Sequence, residues 1–278
     1  MKKVVSLFVA VLLVLSAFSF ALADDKTTIV IGATPSPHRE VLELIQDALA
    51  ALGYELEIIE FTEYPLPNPA LADKQLDANY FQHLPYLNAY NETVADEEKL
   101  IAAIPVHYEP YGIYAGKTKS LDDLKDGAVV AVTNDPSNET RALLLLQEAG
   151  PITLPEDAST DSSLTVLDIV DNPKNLDIRE VNAELIPTML EDVDLGVING
   201  NYAIGAGLKP SEDAIYLEAA DGESGVIYTN YVVVRPEDAE AEWVEALRSV
   251  LQSKKVSDFM LNNEDYAGGV IPAFTVEE

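Results

Sequence analysis

The sequence predicts an α/β protein of two lobes, each a mixed sheet flanked by helices. Residues 27–32, 39–53 and 54–61 have the patterns of a buried strand, an amphipathic helix and a second strand. This β-loop-α-β order is the unit that builds parallel sheets. A second series of strands and helices follows, and extended strands near 108–117 and 225–234 connect the two series without a flexible linker. The lobes are therefore predicted to share the chain discontinuously, with a cleft between them.

The elements of the first series are bounded by residues that start and stop regular structure. A β-branched run closed by Gly32 indicates the first strand, and Gly53 is a typical residue to end the first helix. Asn68 and Pro69 have the pattern of an N-cap followed by proline, which predicts a short helix over 69–75. The next strand is predicted over 77–81, with polar and aromatic residues near its carboxyl end. In open α/β sheets, ligands bind at that edge.

The second series begins at Ser120 with a pattern typical of a capping box. The acidic segment 151–163 lacks periodicity and is predicted to be a surface loop. Strands and helices alternate in the rest of this half, so the second lobe is also predicted to be α/β. The predicted strands are 108–115, 128–133, 176–181, 194–199 and 225–235, and the predicted helices are 139–149, 184–190, 239–252 and 254–262.

The N-terminus has the pattern of a secretory signal peptide over residues 1–23. Two lysines precede an uncharged apolar run over 4–20, and Ala21-Leu-Ala23 is a small-x-small cleavage site. A retained membrane anchor is the alternative, although the run is short for a membrane span and no second one follows. We therefore expect an exported protein, periplasmic or at the cell surface. Its predicted lobes are 24–117 with 225–278, and 118–224.

Composition restricts the class of protein. No cysteine occurs in the 278 residues, so we expect neither a disulfide framework nor a lipid-modified cysteine. If the sequence is complete, this predicts that the protein is not a lipoprotein. The formal charge of −31 repels nucleic acid and anionic membranes, which excludes nucleic acid as a partner. We expect a monomer with a solvated acidic surface.

The segment 77–90 concentrates aromatic and amide side chains, with a further aromatic, Tyr64, in the loop before it. Phe81, His83 and Tyr86 have the chemistry of a small-molecule pocket, in which rings supply apolar area and polar groups fix a ligand's orientation. The alternative is that these rings are ordinary core residues of a strand and the helix after it.

A second polar stretch runs over 134–141 and contains Asn138 and Arg141. Arg141 is predicted to lie in the first turn of a helix, where its charge opposes the helix dipole unless an anion such as a ligand carboxylate offsets it. The alternative is a surface arginine paired with Glu139 or another nearby acid.

Two asparagines extend the candidate site. Asn199 ends a predicted strand and offers an amide, although turn chemistry alone also favours asparagine there. Asn230 lies inside a β-rich apolar run and should be hydrogen-bonded. Together with Arg141 and the aromatic residues, these amides describe a site for an amino acid.

Enzymatic functions fit the sequence less well. It has no Gly-x-Ser-x-Gly, no His-Glu-x-x-His, no phosphate-binding glycine loop and no cysteine nucleophile. His38, His83 and His107 are the only histidines, and none lies at metal-ligand spacing from another. We therefore predict a binding protein without a metal or a cofactor.

Six motifs occur in order along the chain. They are Gly32-Ala-Thr-Pro-x-Pro-His38, Asp77-Ala-Asn-Tyr-Phe-Gln-His83, Asn134-Asp-Pro-x-Asn138 with Arg141-Ala-Leu, Asn172-Pro-Lys-Asn175, Val197-Ile-Asn-Gly-Asn-Tyr-Ala203 and Ile271-Pro-Ala-Phe274. Together they resemble the NlpA/MetQ family of methionine-binding proteins of ABC importers. The resemblance covers essentially the whole mature chain. One departure is that members of the family usually carry a lipobox cysteine.

The resemblance implies a type II periplasmic-binding-protein fold that closes on L-methionine and delivers it to an ABC permease with its ATPase. It further implies that Arg141 holds the ligand carboxylate and that Asn199 and Asn230 hold the amino and carboxylate ends. Tyr64, Phe81, His83 and Tyr86 would surround the side chain. The alternatives are D-methionine, a methionine-containing dipeptide or another amino acid as ligand, and a ligand-sensing protein without a transport role.

Overall fold

The computed structural model describes residues 27–220 and 223–276. The predicted signal peptide, 1–23, lies outside the described residues. Within the described ranges, no helix has the length and apolar character needed to cross a membrane.

The first sheet is mixed, with strand order β11-β4-β10-β3-β1-β2. β1 pairs in parallel with β2 and β3, whereas β10 is antiparallel to both β3 and β4, and β11 is antiparallel to β4. β3 is buried along its whole length, so its polar side chains lie inside the protein. The strands are β1 Thr27–Ala33, β2 Tyr54–Glu60, β3 Ala78–His83, β4 Ile101–Tyr108, β10 Thr229–Val234 and β11 Ile271–Pro272.

The second sheet is also mixed, with strand order β7-β6-β8-β5-β9. β6 pairs in parallel with β7 and β8, and β5 is antiparallel to β8 and β9. The strands are β5 Gly112–Ala115, β6 Val129–Thr133, β7 Asp177–Val181, β8 Leu195–Ile198 and β9 Ala214–Leu217.

Helices flank both sheets. The α-helices are α1 Glu40–Ala51, α2 Pro67–Ala72, α3 Leu84–Thr93, α4 Pro136–Glu148, α5 Ile186–Met189, α6 Gly200–Gly205, α7 Pro210–Asp213, α8 Glu223–Ile227, α9 Glu242–Leu251 and α10 Lys254–Asn262. A π-helical turn covers Pro35–Arg39, and 3-10 turns cover Asp96–Glu98, Leu121–Asp123, Val166–Asp168, Ala183–Leu185 and Pro236–Asp238. The predicted α/β class, with two mixed sheets flanked by helices, is confirmed.

Each sheet has its own apolar core. On the first sheet, α1 buries Val41, Leu42 and Ile45 in the cluster that contains the β1 side chains Ile29 and Ile31. On the second sheet, α4 buries its leucines in a separate cluster with residues of β6 and β8. The two cores are largely separate, although Ile204 of α6 belongs to the first cluster. Polar residues occupy much of the space between them.

The chain crosses between the sheets at 109–111 and again at 218–228. The predicted strand 108–115 is therefore wrong: β4 ends at Tyr108 and β5 begins at Gly112 in the other sheet. Pro110 lies at this break, and proline cannot donate a hydrogen bond to continue a strand ladder. The structure thus places 112–115 in the second sheet, whereas the sequence-based division assigned residues up to 117 to the first lobe.

The second crossing also differs from the prediction of one strand over 225–235. Glu223–Ile227 is helical, and β10 begins only at Thr229. The backbone N–H of Tyr228 bonds to the Ser224 carbonyl at 2.9 Å, and the Thr229 hydroxyl bonds to the Gly225 carbonyl at 2.8 Å. These local bonds form a helical turn, which the β-branched composition of the segment did not indicate.

Candidate functional site

A narrow cavity of about 20 Å³ lies where the two lobes meet. All eight side chains predicted from the sequence line this cavity. They are Tyr64, Phe81, His83, Tyr86, Asn138, Arg141, Asn199 and Asn230, and they are joined by Gln82, Glu109, Gly200 and Asn201. The structure therefore brings the predicted residues together, while their role in binding stays a prediction.

One wall of the cavity is aromatic. The ring of Tyr64 lies 5.9 Å from that of Phe81, 5.7 Å from that of Tyr86 and 4.8 Å from that of Tyr202, measured between centroids. Tilted and edge-on ring contacts at these distances are favourable and hold the wall in shape. Tyr202 belongs to the second lobe and was not among the predicted residues, although it follows Asn201 directly in one of the motifs.

A chain of hydrogen bonds orients the amides beside this wall. Asp135 caps α4 by accepting from the Asn138 backbone N–H at 3.0 Å and from the Asn138 amide Nδ2 at 2.9 Å. Asn138 Oδ1 therefore faces away from the cap, where it pairs with His83 Nε2 at 2.9 Å and accepts from Asn199 Nδ2 at 3.0 Å. The Nδ1 atom of His83 accepts from the Tyr86 backbone N–H at 3.2 Å, which places the ring proton on Nε2.

Asn199 directly follows β8 and is the N-cap residue of α6, at the edge where the sequence predicted it. Its Nδ2 is used by Asn138, whereas its Oδ1 is buried and accepts no hydrogen bond from the described part of the chain. Buried acceptors are normally paired, so this atom indicates a missing donor.

Arg141 lies in the second turn of α4, because that helix begins at Pro136 rather than at the predicted residue 139. The expected conflict with the helix dipole does not arise, since that effect fades beyond the first turn. Arg141 is buried, and its ring neighbour Tyr228 has its centroid 4.0 Å from the guanidinium carbon. The alternative of a surface arginine does not hold, because Arg141 is buried and Glu139 accepts instead from the Val166 backbone N–H at 3.0 Å.

The partner of Arg141 is Glu218, a residue that sequence reasoning missed. Arg141 donates from Nε to Glu218 Oε1 at 3.2 Å and from Nη2 to Glu218 Oε2, and its Nη2 also donates to the Glu109 carbonyl at 2.8 Å. Burial is the largest single effect on the pKa of Arg141 and lowers it, but Glu218, Tyr108 and Tyr228 together raise it above its ordinary value. Burial is also the largest single effect on the pKa of Glu218 and raises it, but Arg141 and the hydrogen bonds from Tyr108 and Tyr111 together lower it below its ordinary value, so both partners stay charged. Nη1 of Arg141 makes no hydrogen bond to the described residues.

Glu109 lies at the first crossing and accepts hydrogen bonds from both lobes. Its Oε1 pairs with His107 Nε2 at 2.7 Å, and its Oε2 accepts from the Asn201 backbone N–H at 2.7 Å. His38 Nε2 lies 3.6 Å from Glu109 Oε1 and 3.2 Å from Asn230 Oδ1. Asn230 is therefore hydrogen-bonded, as its position in an apolar strand required. Burial raises the pKa of Glu109.

All three histidines belong to this buried network. Burial lowers the pKa of His38 to about 4, and the pKa values of His83 and His107 to about 3, so they are uncharged at neutral pH. His38, His107 and Glu109 hold possible metal-ligand atoms within 4.8 Å of one another. The sequence did not indicate this cluster, because the residues are too far apart along the chain. Hydrogen bonds within the protein already account for the arrangement of the three side chains.

Further hydrogen bonds join the lobes across the cavity. The Tyr64 hydroxyl donates to Asn201 Oδ1 at 2.5 Å, and the Tyr202 hydroxyl donates to the Thr62 carbonyl at 2.8 Å. With the bond between His83 and Asn138, these contacts hold the two lobes in a closed arrangement. The site can thus enclose a small molecule that offers an anionic group, a hydrogen-bond donor and an apolar tail.

Known proteins resemble this chain over most of its length. The family model described as NlpA lipoprotein matches residues 29–274. A methionine-binding lipoprotein MetQ of Bacillus subtilis is 41% identical, over 90% of this chain and 89% of its own. A nutrient binding protein of Burkholderia cenocepacia, solved bound to methionine, is 41% identical with a TM-score of 0.82, over 88% of this chain and 100% of its own. An ABC transporter periplasmic substrate-binding protein of Coxiella burnetii is 40% identical with a TM-score of 0.79, over the same shares of the two chains.

These comparisons correct one prediction. The expectation that the protein is not a lipoprotein is contradicted, because the family model and the Bacillus subtilis relative are both described as lipoproteins. An exported location is consistent with all of them. From the match over 29–274 and the relatives of about this length, we conclude that the chain belongs to the NlpA lipoprotein family.

Proposed function

We propose that this protein is an extracytoplasmic solute-binding protein that captures L-methionine between its lobes and delivers it to an ABC permease with its ATPase. The observation that carries the proposal is the unpaired Oδ1 of Asn199, which lines the same closed cavity as Arg141. An acceptor without a donor and a guanidinium with free hydrogens together match the ammonium and carboxylate of an amino acid.

The proposed roles follow from the free hydrogen-bonding groups. Nη1 of Arg141 donates to the ligand carboxylate, and Asn230 adds its amide hydrogens. Asn199 Oδ1 accepts from the ammonium, while Asn138 and His83 hold Asn199 in place. The rings of Tyr64, Phe81 and Tyr86 line the cavity and pack against the thioether, with sulfur–aromatic contacts of about 0.3–1.5 kcal/mol each.

In this proposal, the two lobes move towards each other and close around the ligand. The first contains the sheet of β1 to β4 with β10 and β11, and the second contains the sheet of β5 to β9. The crossings at 109–111 and 218–228 serve as hinges, and closure brings the second-lobe residues Arg141 and Asn199 against the first-lobe aromatics. We propose that the protein works as a monomer and binds its ligand without turnover.

The enclosed form of the cavity favours a single amino acid over a long peptide, because hydrogen bonds from the Tyr64 and Tyr202 hydroxyls join the two lobes across it. D-methionine, a methionine-containing dipeptide and other amino acids remain the competing ligands.

Native mass spectrometry of the protein as purified tests the proposal, followed by unfolding, refolding and calorimetry with L-methionine, D-methionine, methionine dipeptides and other amino acids. We expect a co-purifying mass of methionine and the tightest binding for the L-isomer. Tightest binding of a different amino acid or a dipeptide would keep the binding role and replace the ligand. Refolded protein that binds none of them would refute the function.

A further inference from the structure

Glu218 lies behind Arg141, on the side away from the cavity. It is 8% exposed and does not line the cavity itself. Besides two nitrogens of Arg141, its carboxylate accepts from the Tyr108 hydroxyl at 2.6 Å and from the Tyr111 backbone N–H at 3.2 Å. Glu218 thus has a full set of donors, and its position is fixed by residues of the first crossing.

This arrangement decides which hydrogens of Arg141 are available. Nε and Nη2 are used by Glu218 and by the Glu109 carbonyl, so the Nη1 hydrogens are the ones left for a ligand. Aromatic rings on Tyr228 and Tyr111 lie 4.0 and 5.0 Å from the guanidinium carbon and limit its rotation. Glu218 therefore orients the group that the proposed function assigns to the ligand carboxylate.

The same pairing cancels the charge of Arg141. Of the described residues that line the cavity, Arg141 is the one with a permanent positive charge, and His83 is neutral. Glu109 places a further carboxylate on the cavity wall. A ligand carboxylate at Arg141 therefore enters surroundings with no surplus positive charge, and an anion buried without compensation is strongly disfavoured.

We propose that Glu218 is a specificity-determining positioning residue that restricts the site to zwitterions of zero net charge and rejects anionic analogues that lack the α-ammonium. The ligand must supply its own positive charge because Glu218 has already neutralised that of Arg141. This inference rests on the proposed function and identifies the charge class that the same site accepts.

The first test uses the wild-type protein and three ligands that share the side chain of methionine but differ in charge. At about pH 6.5, where an α-amino group is protonated, calorimetry compares L-methionine, the cation L-methioninamide and the anion 4-methylthio-2-oxobutanoate. We expect L-methionine to bind most tightly and the anion least, at least about 100-fold more weakly. If Arg141 acted as an unbalanced cation, the anion would bind more tightly than the amide. That order would overturn the proposal.

The second test removes the charge of Glu218. In Glu218→Gln, we expect the ratio of L-methionine affinity to oxo-acid affinity to fall at least about tenfold. Glu218→Asp keeps the charge and should keep a ratio close to that of the wild type, even if both affinities fall. Glu240→Gln, which removes one exposed acid that does not line the cavity, is the matched control and should leave the ratio unchanged.

If a folded Glu218→Gln protein loses affinity for L-methionine and for the oxo acid by the same factor, Glu218 has only a structural role. That result would overturn the proposal. If Glu218→Gln does not fold, as circular dichroism would reveal, the order of the three ligands on the wild type decides alone. Absence of methionine binding to the wild type would refute the proposed function itself. Methionine binding with the anion and the amide in reversed order would refute only this inference.

Discussion

The carboxamide of Asn199 is oriented by residues that lie beyond it. Asp135 accepts from the amide nitrogen of Asn138, so Asn138 presents its oxygen to His83 and to Asn199. Asn199 must then offer its own nitrogen, and its oxygen is left for the cavity. The N-cap of α4 therefore determines that Asn199 presents an acceptor oxygen to the cavity. A ligand ammonium can donate a hydrogen bond to this oxygen, whereas a carboxylate cannot.

Replacing Arg141 tests the anchor of the site. We expect Arg141→Ala to weaken methionine binding by at least about 2 kcal/mol, because the ligand carboxylate loses its charged donor while still desolvated. The change also leaves Glu218 buried without its partner, which is expected to destabilise the fold by about 3–5 kcal/mol. Calorimetry and urea unfolding measure the two effects separately.

The matched control for that variant is Arg179→Ala. Arg179 pairs with Asp177 at an exposed site, with about half of each side chain accessible. Such pairs contribute about 0–1 kcal/mol, so stability and binding should be nearly unchanged. Wild-type affinity in a folded Arg141→Ala protein would remove Arg141 from the binding site.

His83 makes the stability of the protein depend on pH. Its pKa is about 3 in the folded protein, because burial and the charge of Arg141 lower it from 6.5. Its contribution is therefore complete above pH 6.5 and is lost as the pH falls from 6.5 towards 3, since only the unfolded chain takes up the proton. Between pH 7 and pH 5 the expected loss is about 2 kcal/mol.

His83→Gln isolates this contribution, because glutamine still offers a donor to Asn138 but does not titrate. Urea unfolding of both proteins at pH 7 and pH 5 should show the wild type losing about 2 kcal/mol more than the variant. Other groups, such as Glu109 and Asp135, whose pKa values burial raises, cancel in the comparison. Equal losses in the two proteins would mean that His83 is not buried in its neutral form.

At the scale of elements, strong local signals were predicted correctly. The helix that became α1 has four buried apolar residues at helical spacing and ends just before Gly53, whose φ of 92° is a conformation that suits glycine. The start of α4 was placed three residues late, because Asp135 as N-cap and Pro136 at the first position were taken as loop. α6 was not predicted, since six residues that begin and end with glycine carry little periodicity.

The candidate site could be predicted where its residues form motifs and not where they meet across the fold. The eight predicted residues converge on one cavity, but Glu218 lies 77 residues from Arg141 and is one of 48 acidic residues in the chain. No local pattern distinguishes it. Glu109 was also missed, because the segment that contains it was predicted to be a strand. It lies between the lobes because the strand breaks at Pro110.

The start of α6 depends on a close approach that only glycine permits. A Cβ atom on Gly200 would lie 2.7 Å from Glu109 Cβ and 2.9 Å from Glu109 Oε2. We expect Gly200→Ala to push α6 away from Glu109, break the bond from the Asn201 N–H, and weaken methionine binding at least about tenfold. Calorimetry measures the affinity, and small-angle scattering with methionine measures whether the lobes still close.

Gly205→Ala is the control within the same helix, because a Cβ atom there meets nothing within 4 Å. Alanine is favoured over glycine in helices by about 1 kcal/mol, so this variant should bind normally and be slightly more stable. Normal binding by Gly200→Ala would mean that the contact between Glu109 and α6 is not needed for closure.

At the scale of the whole molecule, two largely separate apolar cores stabilise the lobes, and the polar residues between them form the site. The buried pair of Arg141 and Glu218 is protected from salt, whereas the surface carries most of the 48 acidic residues against 17 basic ones. Self-repulsion of such a surface destabilises the compact state. Screening of charges by salt should therefore affect the free energy of unfolding more than the affinity for methionine.

Sodium chloride separates the two effects. Raising the ionic strength from about 0.1 M to 1 M shortens the Debye length from about 10 Å to 3 Å, so repulsion between exposed carboxylates is largely screened. We expect the free energy of unfolding in urea to rise with salt, because the few exposed ion pairs that are weakened contribute only about 0–1 kcal/mol each. Methionine affinity should change less than about twofold, since a zwitterion of zero net charge meets a buried, internally neutral pair. If the free energy of unfolding falls with salt, attraction within the exposed ion pairs outweighs repulsion between the surface carboxylates. If the methionine affinity depends steeply on salt, the charge of Arg141 is not balanced when it contacts the ligand.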